Sequence, residues 1–114
     1  MITIEKLNSF GVDTAEGLER CFGNEALYLK LVTTIPDDAT FERLEKKVAA
    51  KDLDGAFEAA HALKGVLGNL SLTPLYTLAV EITELLRNRT QMDYSALLVK
   101  CFEKRDELGK LCAE

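Results

Sequence analysis

From Leu53 onward, Ala56, Phe57, Ala60, Leu63, Leu67 and Leu70 recur at intervals of three and four. That is the period of a helix with one buried stripe, and it predicts the clearest helix of the chain, opened by Asp52 or Asp54 and ending near Asn69 to Ser71. Thr73 as a cap and Pro74 as the first helical residue then open a helix bearing Leu75, Leu78, Ala79, Ile82, Leu85 and Leu86. After a turn over Asn88 to Gln91, Asp93 is placed to cap a last helix with Tyr94, Leu97, Leu98, Cys101, Phe102, Leu108 and Leu111 inward. Upstream, Pro36 with Asp37 and Asp38 suits the start of a helix that carries Phe41, Leu44 and Val48 on one face and runs to about Lys51. Asn24 caps a helix in which Leu27 and Leu31, with Tyr28 and Val32, form the apolar stripe as far as Thr34. Two shorter segments precede it: Ile2 to Phe10, closed by Gly11, and one that begins after Asp13 or Thr14 and stops at Gly23. They read as lid helices, too short to be stable alone.

Four long helices joined by short turns imply an all-α, antiparallel four-helix bundle with the short N-terminal helices packed against it. The 114 residues are expected to form one domain over 1–114, and the low aromatic content of 7%, two prolines and no tryptophan agree with a helical class. A net charge of −5, with basic residues scattered or paired as Lys46 and Lys47, lacks the stripe that binds a phosphate backbone, so nucleic acid is excluded as a partner. Cys21, Cys101 and Cys112 are odd in number and show no CxxC spacing, which argues against a disulfide framework or a zinc site and suits a reducing compartment. The uncharged stretch Val66 to Val80 is interrupted by Gly68, Asn69 and Pro74 and is too short to span a bilayer. No signal peptide is legible, and a cytoplasmic protein that makes no use of a membrane is expected. A chain that starts at Met1 with its own lid helices is expected to be free-standing, and the mixed charge of its outer faces to keep it a monomer.

The chemistry concentrates on one residue. His61 is the only histidine, and with Ala60 near the middle of the stripe, a step of about 100° per residue puts His61 on the stripe's flank. There the imidazole rests its base on the bundle and keeps a nitrogen in water. Its helical neighbours are Lys64, Gly65 and Gly68. Each glycine costs about 0.5–1 kcal/mol against alanine inside a helix, so two of them one turn apart require a compensation. They clear side chains from beside the ring, with a close helix-packing contact as the alternative for Gly68, while Lys64 supplies a cation for an anionic phosphoryl group.

Ala60-His61-Ala62-Leu63-Lys64-Gly65, followed by Gly68-Asn69-Leu70, resembles the phosphorylation-site helix of histidine-containing phosphotransfer domains. The resemblance extends to Gly11-Val12-Asp13, Gly23-Asn24-Glu25, the Ala49 to Asp52 turn and the Leu75 to Leu86 helix, and so covers nearly the whole chain. It implies that Nε2 of His61 carries the phosphoryl group, that Lys64 stabilises it, and that Gly65 and Gly68 let a receiver's aspartate approach. The implied partners are response-regulator receiver domains and a hybrid sensor histidine kinase. No cofactor is implied for this chain, the magnesium ion and catalytic aspartates being the receiver's. Where the family often has a glutamine or other polar residue on the next helix to orient the imidazole, this sequence has Thr83, a shorter side chain placed with the binding surface. The expected function is a phosphorelay intermediate, a phosphocarrier rather than an enzyme.

Other readings fare less well. Glu58-Ala59-Ala60-His61 has the ExxH form of di-iron bundles, but such a site needs a second histidine, which is missing. Autonomous kinase activity would need a glycine-rich nucleotide loop or a Walker-type lysine, and neither is present. The serious alternative is a helical docking module that binds receivers or kinases without being phosphorylated; His61, Lys64 and both glycines weigh against it.

Overall fold

The first two helices, α1 (Ile4–Phe10) and α2 (Thr14–Arg20), are single short elements capped by side chains: Thr3 accepts from the Lys6 amide and Asp13 from the Glu16 amide. In this computed structural model, which describes residues 1–114, they are followed by α3 (Glu25–Thr34), a 3₁₀ turn (Ile35–Asp37), α4 (Thr40–Ala49), α5 (Leu53–Asn69), α6 (Thr73–Arg87) and α7 (Ser95–Ala113). There are no strands. The chain folds as the expected helical bundle, with α5 between α4 and α6 and α7 against α6. A single cluster of buried apolar side chains draws on all the long helices, from Tyr28 and Phe41 through Leu63, Leu67 and Ile82 to Leu108.

One turn motif closes five of the helices. An amide reaches back five residues to a carbonyl from Val12 to Leu7, Gly23 to Leu18, Asp52 to Lys47, Leu72 to Leu67 and Thr90 to Leu85, at 2.7–3.0 Å. The residue just before each of these donors is left-handed: Gly11, Phe22, Lys51, Ser71 and Arg89. This satisfies carbonyls that the helix end would leave open and reverses the chain tightly, as an antiparallel bundle requires.

The structure corrects several sequence expectations. Pro36 opens only the 3₁₀ turn, because Asp38 is extended and its carboxylate takes the Thr40 amide at 2.8 Å, so α4 begins at Thr40 and ends two residues short of Lys51. In α3 the buried pair is Tyr28 and Val32, whereas Leu27 and Leu31 are 41% and 38% exposed. Tyr28 is drawn inward because its hydroxyl donates to the Leu70 carbonyl at 2.8 Å, over Gly17, where a Cβ would lie 2.5 Å from the ring. Thr73 is the first residue of α6 rather than its cap, and Asp93 sits one residue ahead of the α7 cap, accepting from Ser95 at 2.9 Å. At the N-terminus α2 stops at Arg20, three residues short of Gly23, since Phe22 is already left-handed and makes the exit together with left-handed Gly23.

The lid helices cover the turn between α5 and α6. The Ser71 hydroxyl donates to Glu16 at 2.8 Å and the Asp13 amide to the Ser71 carbonyl at 3.3 Å. Lys6 pairs with Glu114 at 3.5 Å, tying α1 to the end of α7. These contacts supply the tertiary packing that seven-residue helices need.

Candidate functional site

Helix α5 begins at Asp52, whose carboxylate accepts the Gly55 amide at 2.9 Å and lies 3.4 Å from Lys47 Nζ. Held below the ordinary carboxylate range by the Gly55 hydrogen bond first and by Lys47 second, Asp52 stays ionised at the positive end of the helix. Ala56, Ala59, Ala60, Leu63 and Leu67 are buried along the inner face. His61 lies on the outer flank, exposed to solvent, as the helical geometry predicts.

The structure brings Lys64, Gly65 and Gly68 together in one groove of about 290 Å³ beside His61's helix turn. Its other walls come from Glu16 and Arg20 of α2, Asn69 at the end of α5, Ser71 of the turn, and Thr73 and Tyr76 of α6. The two glycines differ. A Cβ at Gly65 would meet nothing within 4 Å, so that position is open for an approaching molecule. A Cβ at Gly68 would come within 3.0 Å of the Tyr76 ring, so this glycine makes room for α6 within the protein itself.

Thr83 does not belong to this surface. It is fully buried, and its hydroxyl donates to the Ala79 carbonyl of its own helix at 2.6 Å. A β-branched hydroxyl inside a helix satisfies itself on the preceding turn, and burial leaves it no path to an exposed ring. The expectation that Thr83 forms part of the binding surface is therefore corrected.

The imidazole instead stacks on Phe57, with centroids 5.8 Å apart and planes at 19°. The Arg87 guanidinium lies 5.1 Å from the Phe57 centroid, and Arg87 Nε lies 3.3 Å from Glu84. Phe57 precedes His61 by four positions, so the pair was legible as helical neighbours, although the sequence reading used Phe57 only for the core. Arg87, Arg20 and Tyr76 carried no local signal, because only the packing of α6 and α2 brings them near.

Chemically, the arrangement offers one solvent-facing nucleophile, a cation one turn away, and an unobstructed glycine beside them. Comparison with curated proteins gives no match, and neither does comparison with solved structures. Against protein families, residues 26–114 match the Hpt domain, a span that runs from the first turn of α3 to the C-terminus and includes the whole of α5. The chain thus belongs to the Hpt domain family, whose members are phosphocarriers of histidine phosphotransfer in phosphorelays.

Proposed function

We propose that His61 takes a phosphoryl group from the aspartyl phosphate of one receiver domain and passes it to the aspartate of another. The observation that carries this reading is an exposed, sole histidine on α5 with Lys64 half-exposed and Gly65 open on the same side. In the forward step the Nε2 lone pair attacks phosphorus as the bond to the aspartate oxygen breaks. The carboxylate departs with that electron pair, and the ring sheds its Nδ1 proton to solvent; the return step reverses this. Lys64 stabilises the charge on the phosphoryl oxygens in transit. A phosphoramidate has high transfer potential, which keeps both directions accessible.

Hpt domains interact with receiver domains and kinases of two-component systems. For this chain we assign a hybrid sensor kinase upstream, a receiver downstream, and the magnesium ion to the receiver. No helix is long and apolar enough to cross a membrane, and we place the protein in the cytoplasm as a monomer. Incubation with a phosphorylated receiver and magnesium should transfer acid-labile, alkali-stable label to the wild type and none to His61→Gln. Binding to a panel of receivers without label would sink the phosphocarrier reading and favour a docking module.

A further inference from the structure

An attacking imidazole has to be held, because each freely rotating torsion lowers the fraction of encounters in which Nε2 faces phosphorus. In this chain the ring nitrogens take part in none of the protein's hydrogen bonds, and the hydroxyl of Thr83 is committed to Ala79. What the ring does have is the parallel stack on Phe57. Phe57 is half-buried against the core on one side and is met by Arg87 at 5.1 Å on the other helix. Arg87 is in turn fixed by Glu84 on the same helix. Helix α6 thus reaches the nucleophile through a cation and an aromatic ring, and not through a polar side chain at position 83.

We propose that Phe57, backed by Arg87, is the positioning residue for His61: stacking fixes the plane of the imidazole and presents its nitrogen edge to the docked partner. This rests on the phosphotransfer reading given above. A stack differs from a hydrogen bond in what it leaves free. It restrains the ring plane but not the choice between the two tautomers, so the proton on Nδ1 is left to water. Phosphoryl transfer therefore depends on Phe57 for orientation before the partner arrives, and on the surrounding solvent for the proton afterwards.

The test uses the full chain with Phe57→Leu, Phe57→Tyr and Arg87→Gln. The His61 ring-proton resonances are recorded above the imidazole's titration range, and transfer from a phosphorylated receiver is followed over a range of receiver concentrations. In Phe57→Leu the two ring-proton lines should move towards those of free imidazole as the ring current is lost. The saturating transfer rate should fall about fivefold with the half-saturating receiver concentration unchanged. Phe57→Tyr should restore both, and Arg87→Gln should lie between. Unmoved ring-proton lines in Phe57→Leu, or equal slowing in the Leu and Tyr variants, overturns the proposal. Should Phe57→Leu fail to fold, Arg87→Gln decides by the same two readouts, because Arg87 is exposed. If the wild type takes no label, the phosphocarrier reading fails while the ring-proton lines still decide the stack.

Discussion

At the scale of single residues, the two glycines that follow His61 on α5 were read together and behave differently. Gly65 faces open space and is helical, so alanine there should stabilise the free protein by about 0.5–1 kcal/mol, seen as a melting temperature about 2–5 °C higher. The added methyl would stand in the groove proposed as the docking site, and the half-saturating receiver concentration should rise about tenfold. Gly68→Ala should show no such gain, because its Cβ must displace Tyr76 from a 3.0 Å contact. Removing the ring separates these terms: in a Tyr76→Ala background Gly68→Ala should become stabilising, a coupling that a double-mutant melting cycle reads directly. Additive effects of the two substitutions would show that Tyr76 is not what Gly68 accommodates.

At the scale of elements, α5 depends on its first turn. The folded protein holds the Asp52 carboxyl below its ordinary value of 3.8, chiefly through the Gly55 amide and then through Lys47. A group with a depressed folded value contributes stability that is present above the unfolded value and is lost as pH falls through the folded one. Acid melting curves of the wild type should therefore steepen below that ordinary value. Asp52→Asn keeps a side-chain acceptor for the Gly55 amide but has no proton to gain, so its melting temperature should be lower near neutrality and flatter on the acid side. Parallel acid limbs for the two proteins would show that the cap's charge contributes nothing.

For the whole molecule, the alkaline limit follows from what the bundle buries. Burial pushes the Tyr28 hydroxyl up to about 12 from 10.0, with Cys21 and Asp13 adding to the rise. Burial likewise pushes the Cys101 thiol up to about 11 from 9.0, against the opposing charge of Arg105. Both groups are neutral while protonated, and the folded state holds their protons more tightly. Their stability is intact below the unfolded values and drains away as pH rises through the folded ones. Thermal stability should thus fall progressively between about pH 9 and 12. Cys101→Ala should flatten the lower part of that fall. Tyr28→Phe should flatten the upper part while costing about 1–2 kcal/mol near neutrality for the lost bond to the Leu70 carbonyl. An alkaline limb unchanged in both variants would place the loss elsewhere.

Local rules determined much of this protein from sequence. The three-four spacing from Ala56 to Leu67 set the inner face of α5, and with it the outward flank on which His61 stands, because a helix's faces follow from its own period. The cap at Asn24 was legible for the same reason, and those at Asp13 and Asp52 as one of two neighbouring candidates each, every one being a side chain that accepts from the amide three residues on. Helix ends were less legible where Phe22 and Lys51 take left-handed turns that glycine usually marks, since only the packing around them makes those conformations tolerable. Tertiary structure alone decided the rest. It turned Tyr28 inward towards a carbonyl 42 residues away, committed Thr83 to its own helix, and set Gly68 against Tyr76. It also brought Arg87 to Phe57 beneath the imidazole and Arg20 to the groove of Lys64. Contacts between separate helices depend on how those helices pack against one another, and the period of a single helix carries no record of it.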